Sequence, residues 1–281
     1  MNNKNYINKS WHDANDGSTF KVENPFTEEI ITEVPNSSAS DVDVAVSAAK
    51  AAWKDWKMLG SLDMRDLLRE VAVKSRDNDK EIASIITAES GKPLIECLDE
   101  IEWIASIFEY YSEIGRDQRG RVVAPVTPRS MSMVVKESYG VVGCIVPWNY
   151  PLLLMAWKVA PALAAGNTVV IKPSEVTPLS ILRWIEIACD HLPIGIINVI
   201  TGNGKTGASL VNHPDVRVIA FTGSIDTGKK IAMMAAKQLK KTSLELGGND
   251  PIIICDDVDI NIAAKGTAWG GLLNAGQVCT S

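Results

Sequence analysis

The apolar positions of this chain fall into two rhythms. Residues 38–58, "SASDVDVAVSAAKAAWKDWKM", place apolar residues at helical spacing after a Ser/Asp start, and residues 62–88 and 94–115 continue in the same style. This spacing predicts a mostly helical first third, preceded by two short strand-like runs in "TFKVENP" and "EIITEV". From 118 to 146 the texture becomes Val-rich, with turn residues at Pro125 to Arg129, and reads as a long hairpin. Beyond residue 140, "GVVGCIVP", "NTVVIKP", "IINVIT", "VRVIAFTG", "SLELGG" and "PIIICDD" are predicted strands, most of them separated by helices such as "PLLLMAWKVAPALAAG" and "LSILRWIEIACDH". Short continuous Val/Ile runs alternating with helices imply strands buried on both faces, hence an α/β protein with a Rossmann-like parallel sheet and helices on both sides.

Composition narrows the class of protein. With 281 residues and 46% apolar side chains, the chain can fill a substantial core. Its net charge is -6, and its basic residues are scattered singly or in pairs such as Lys229-Lys230, so nucleic acid is not an expected partner. The five cysteines are widely spaced and form no CxxC pair, which argues against a disulfide framework or a metal site and for a reducing compartment. The polar start "MNNKNYINKSWHD" does not resemble a signal peptide, and no stretch of eighteen uninterrupted apolar residues follows. A cytoplasmic protein without a membrane partner is expected.

In parallel sheets ligands gather beyond the carboxyl ends of the strands. The polar clusters fall at those ends: Trp148-Asn149, Lys172 to Glu175, Thr222 to Ser224, and Glu245. Two glycine loops compete for a phosphate. "GNGKTG" (202–207) fits GxGxxG between a strand and a helix, but the acidic residue expected about twenty positions later is not clearly placed. "GSIDTGKK" (223–230) comes within one residue of a P-loop; Lys230 stands where a metal-binding hydroxyl is required, which disfavours an ATPase. The second stretch still suits an anion, through close backbone approach at Gly223 and Gly228, the Ser224 hydroxyl and the helix start that follows, while Asp226 and Thr227 could simply cap that helix.

Five strings in order carry a resemblance to the NAD(P)-dependent aldehyde dehydrogenases: "PWNYP" (147–151), "KPSE" (172–175), "FTGS" (221–224) with Gly228, "LELGG" (244–248) and "GQVC" (276–279). The likeness runs from about residue 6 to the last residue. It implies that Cys279 is the nucleophile, attacking an aldehyde to form an adduct from which hydride leaves, and that a thioester then hydrolyses. A thiolate is required, so the site is expected to lower the Cys279 pKa through nearby positive potential or hydrogen bonds. Cys97, Cys144, Cys189 and Cys255 read as small buried hydrophobes. Asn149 matches the oxyanion donor and Glu245 the base that activates water.

The resemblance further implies that Lys172 and Glu175 hold the adenosine ribose, with Glu175 favouring NAD over NADP because a carboxylate repels a 2′-phosphate. Trp148, Gly223, Ser224, Gly228 and Leu246 complete the implied cofactor set. The diphosphate then lies against "FTGS" and its helix, leaving 202–207 as a neighbouring wall.

Tyr150 and Trp157, seven residues apart, are expected to face one substrate tunnel and to resemble the betaine aldehyde and aminoaldehyde branch, whose cationic substrates suit aromatic faces. Leu273 stands where plant members of that branch carry a further Trp, so the cage lacks a wall and other apolar or aminated aldehydes stay open, as does plain helix packing for the two aromatics.

The implied domains are a cofactor domain of residues 1–117 and 141–244, an oligomerisation hairpin at 118–140, and the start of a catalytic domain at 245–281. Family members continue far beyond the cysteine. Two expectations follow: a homo-oligomeric aldehyde dehydrogenase completed by a second polypeptide, or a catalytically incompetent fragment that at most binds a nucleotide or a partner.

Overall fold

The computed structural model describes residues 2–281. The chain opens with strands β1 (Asn5–Ile7) and β2 (Ser10–His12), joined by Asn8 and Lys9, both at positive φ, as a two-residue hairpin turn requires. Neither strand is predicted from the sequence, since three polar-leaning residues leave no alternation to read. Strands β3 (Thr19–Glu23) and β4 (Ile30–Pro35) form a separate antiparallel ribbon at the places predicted.

Four helices follow: α1 (Ala39–Trp56), α2 (Ser61–Asp77), α3 (Asp79–Ser90) and α4 (Leu94–Ile114). The single helix expected over 62–88 is therefore two. Asn78 breaks it: its amide donates to the Lys74 carbonyl at 2.8 Å, satisfying one of the carbonyls left free at the end of α2.

The long hairpin expected at 118–146 is confined to β5 (Arg121–Val123) and β6 (Ser132–Val134). The Val-rich end of that stretch enters the main sheet as β7 (Val141–Ile145). Regular alternation then holds, through α5 (Pro151–Ala164), β8 (Thr168–Lys172), α6 (Leu179–Ala188), β9 (Ile197–Val199), α7 (Gly204–Asn212), β10 (Val216–Gly223), α8 (Ile225–Ala236) and β11 (Lys241–Leu246), to α9 (Ile260–Leu272).

The main sheet runs β11-β10-β7-β8-β9-β1-β2, parallel from β11 to β9 and antiparallel at the β1–β2 edge. Strand alternation sorts its side chains into two cores. Val142, Cys144, Val169 and Ile171 pack with α2 to α6, whereas Val141, Ile145, Val170 and Ile219 pack with α1, α7 and α8. Both faces are thus covered, and every residue of β7 and β8 is buried. Each fully buried Val or Ile contributes about 1.5–3 kcal/mol relative to exposure.

One predicted strand does not form. Residues 251–257, "PIIICDD", pair with no strand among the described residues, and Ile252, Ile253 and Ile254 are exposed. Cys255 is consequently exposed, against the expectation of burial, while Cys97, Cys144 and Cys189 are buried. Among the described residues no helix is long and apolar enough to cross a membrane.

Candidate functional site

A cleft of about 870 Å³ opens at the carboxyl ends of β7, β8 and β10. Trp148, Lys172, Glu175, Gly223 and Ser224 line it. Lys172, nearly fully buried, donates to the carbonyls of Pro173 (2.6 Å) and Gly202 (2.8 Å), with the Glu175 carboxylate 3.6 Å away. Burial holds its pKa below the ordinary lysine value, with Glu175 pulling the other way.

Ser224 is the N-cap of α8, accepting from the Thr227 N–H at 3.3 Å. Asp226 and Thr227 lie inside the helix, so capping falls to Ser224 and not to them. Gly223 cannot be replaced freely, since a Cβ there would come 2.5 Å from the Phe221 ring. Gly207, from the GxGxxG loop, lines the same cleft.

Gly228 and Leu246 are absent from this lining and pack against each other, a Cβ at 228 meeting Leu246 at 2.5 Å. The cleft's size, its buried cation and the start of an α-helix at its wall fit a dinucleotide.

The other residues singled out from sequence are linked by a chain of contacts. Asn149, just before α5, donates its amide to the Gln277 carbonyl at 2.9 Å. Asn274 donates its own amide to the Asn149 carbonyl at 3.0 Å, so two bonds tie Asn149 to the loop that carries Cys279. That loop is a 3-10 turn, Leu273–Gly276, in which Asn274, Ala275 and Gly276 are consecutively left-handed (φ 49°, 55° and 77°). The conformation costs roughly 1–2 kcal/mol at the alanine and little at the glycine.

Glu245 lies opposite Thr222 in the β10–β11 register, and a Cβ on Gly248 would come 3.0 Å from the Cys279 carbonyl oxygen. The half-buried Cys279 and the end of β11 are therefore neighbours.

Sequence reasoning misses Lys158. It is buried on α5 and donates to the Thr222 hydroxyl. Burial lowers its pKa below the ordinary lysine value, while Cys144, Glu245 and Cys279 act through their charges to raise it. Lys158 is thus a buried cation whose charged surroundings include Glu245 and Cys279. A lone lysine inside "LLLMAWKVAPALAA" was the available signal. Burial pushes the Cys97 thiol up to about 11 and the Cys144 thiol up to about 12, the latter despite the nearby charge of Lys158.

The aromatic pair is not arranged as two residues on one helical face. Tyr150 is the N-cap of α5, outside the helix, so seven-residue helical spacing does not relate it to Trp157. Tyr150 is buried with the Lys92 ammonium 3.6 Å from its ring centroid, and its hydroxyl has no hydrogen-bond partner among the described residues. Trp157 is half exposed. Lys92 in turn pairs with Glu100 at 2.6 Å, both side chains fully buried. Glu100 accepts from the Leu152 and Leu153 N–H groups, both at 2.9 Å, and so occupies the N-terminus of α5.

Residues 11–281 match the aldehyde dehydrogenase family, and the chain belongs to it. It is 43% identical over 286 residues to betaine aldehyde dehydrogenase 1 of Oryza sativa subsp. japonica and 42% identical over 286 residues to the peroxisomal aminoaldehyde dehydrogenase 1 of Malus domestica. These alignments cover 98% of this chain and 57% of each relative.

Among solved structures, a point mutant of Staphylococcus aureus betaine aldehyde dehydrogenase, in complex with NAD+ and with a BME-modified cysteine, gives a TM-score of 0.95 at 36% identity. An NADP dependent enzyme of E. coli gives 0.95 at 37% identity. Both superpositions cover 99% of this chain and 58% of the other. The chain spans a little over half the length of these relatives.

Proposed function

We propose that this chain carries the cofactor cleft and the nucleophile of an NAD-dependent aldehyde dehydrogenase that converts an aldehyde to a carboxylic acid. The observation that carries this reading is the pair of hydrogen bonds tying Asn149 to the loop of Cys279, with Gly248, just past the end of β11, against the Cys279 carbonyl.

Cys279 attacks the carbonyl carbon as a thiolate. Asn149 uses one amide N–H on Gln277 and has a second free to face the developing alkoxide, alongside the Cys279 backbone N–H. A bound NAD would be held by Lys172, Glu175, Gly223 and Ser224 and would supply the hydride acceptor needed for the Cys279 adduct to become a thioester. Glu245 takes the proton from the water that cleaves it.

Lys172 and Glu175 orient the ribose, and the exposed Glu175 carboxylate favours NAD over a 2′-phosphorylated cofactor. Gly223, Ser224 and the start of α8 meet the diphosphate; Trp148 lines the same cleft, while Gly228 and Leu246 shape its support.

A betaine aldehyde or an aminoaldehyde is the proposed substrate, supported by the names of the relatives. Tyr150 already carries Lys92 against its ring, so Trp157 is the aromatic face left to meet a cationic head. Residues 1–117 with 141–244, the 118–140 hairpin and 245–281 are proposed as the cofactor, oligomerisation and catalytic portions. The exposed Val122, Val126 and Met131 support the hairpin's role in a homo-oligomer. A cytoplasmic setting rests on composition alone, and imaging a tagged chain tests it against the peroxisomal location in the Malus relative's name.

Exposed apolar side chains on α9 favour a covering segment, from a longer chain or a second polypeptide. Without one, the second reading applies, a nucleotide-binding module without turnover. The test is NAD binding and NADH production by residues 1–281, alone and in a full-length form, with betaine aldehyde and hexanal compared by kcat/KM. In the active form, Glu245→Gln should spare the first burst of NADH and slow the steady state by roughly 100-fold or more. An unchanged steady-state rate rejects the base, and absence of NADH in every form rejects the dehydrogenase reading.

A further inference from the structure

Of the site's three chemical groups, Glu245 is held by the β10–β11 ladder, whereas Asn149 and Cys279 adjoin backbone N–H groups that need acceptors from elsewhere. Asn149 precedes α5, whose first N–H groups need acceptors. Asn274 begins a run of three left-handed residues, and its buried N–H needs one too. Both acceptors come from a single face of α4. Glu100 takes the Leu152 and Leu153 N–H groups, and Glu96, one helical turn earlier, takes the Asn274 N–H at 2.8 Å.

We propose that Glu96 is a positioning residue for Cys279: by accepting the Asn274 N–H it fixes the left-handed turn, while Glu100 fixes the start of α5, so that α4 sets the separation between sulfur and amide. This rests on the dehydrogenase reading for its consequence in catalysis, though not for the geometry itself. The hydrogen bond needs an oxygen acceptor and not a negative charge. Glutamine at 96 can keep it; alanine cannot. Glu96 is also the testable member of the pair, because it is only partly buried and its loss leaves the core intact, whereas Glu100 is fully buried and ion-paired with Lys92.

The turn is strained at Ala275 and has few other anchors: Asn274's own amide reaches the Asn149 carbonyl at 3.0 Å and the Gln277 carbonyl at 3.3 Å. Removing the Glu96 acceptor leaves a buried N–H unpaired and frees the loop to relax toward ordinary φ values. Cys279, five residues on, then loses its register with Asn149. Misplacement of a reacting atom by about 1 Å costs on the order of 100-fold in rate, so a partial loss of register is expected to cost roughly tenfold.

Three measurements on the wild type, Glu96→Ala and Glu96→Gln test this. Hydrogen exchange at the Asn274 amide should accelerate in E96A and stay near wild type in E96Q. Alkylation of Cys279 by iodoacetamide, read by peptide mass spectrometry against the exposed Cys255 as internal reference, should slow several-fold in E96A only. The first NADH burst in the full-length active form should fall roughly tenfold in E96A with KM for NAD unchanged, and recover in E96Q.

Unchanged exchange and alkylation in E96A overturn the proposal. Equal behaviour of E96A and E96Q also overturns it, since charge and not the hydrogen bond would then be acting. If wild type makes no NADH in any form while E96A still shows faster exchange and slower alkylation, the dehydrogenase reading fails and the positioning role stands.

Discussion

The sheet and the segment that follows it are built from similar residues and reach opposite ends. "NTVVIKP" is buried at every position of β8, while "PIIICDD" forms no strand and leaves three isoleucines in solvent. Yet α9, just beyond, is a full helix with no buried residue. The difference is one of hydrogen bonding. A helix satisfies its backbone within itself, here started by Asp259, which accepts from the Asn261 and Ile262 N–H groups. A strand needs a neighbour, and an apolar run without one keeps its residues but not its structure.

The strongest way to break this contrast is in the sheet. Ile171→Ala, at a fully buried position between two neighbouring strands, should cost about 2–5 kcal/mol in urea unfolding; a loss near zero would mean the two regions pack alike.

Next in size is a pH effect confined to the buried region. Glu89 accepts from Leu179 and Ser180 at the start of α6, and burial pushes its pKa from 4.5 up to about 7 against those donors. Because the native value is the higher one, the folded protein keeps a proton that the unfolded chain has lost between those pH values. Glu89 therefore favours the native state most at the acid end, and that contribution fades as pH rises through about 7. Glu89→Gln should flatten stability between pH 5 and 7, removing a slope of up to about 3 kcal/mol; an unchanged slope rejects the assignment. The smallest effect is expected on α9, where Trp269→Ser should change stability by less than about 0.5 kcal/mol.

The same physics separates what could be read from the sequence. Strands β7 to β11 and the helices between them announce themselves because each is a local pattern readable on its own, even where the partner is distant, as for β7 and β10. The β1–β2 hairpin was illegible, its strands being three residues long and its turn marked only by Asn8. Asn78 cuts a helix whose apolar spacing runs through it almost unbroken.

At the site, strand-end residues stood out by type and place. Glu96, Glu100 and Lys92 did not, because a carboxylate on a helix looks solvated until its partner is known, and the Glu96 partner is 178 residues away. The Tyr150–Trp157 pairing rests on helical spacing that begins at the N-cap of α5.

The bare contact between Gly228 and Leu246 has a reach beyond packing. Leu246 follows Glu245 directly, so a side chain at 228 would have to turn the Leu246 methyls aside, next to the residue proposed as base. The absence of a single carbon in the helix beside a nucleotide-sized cleft thus leaves room for the leucine that adjoins that acid in the next strand.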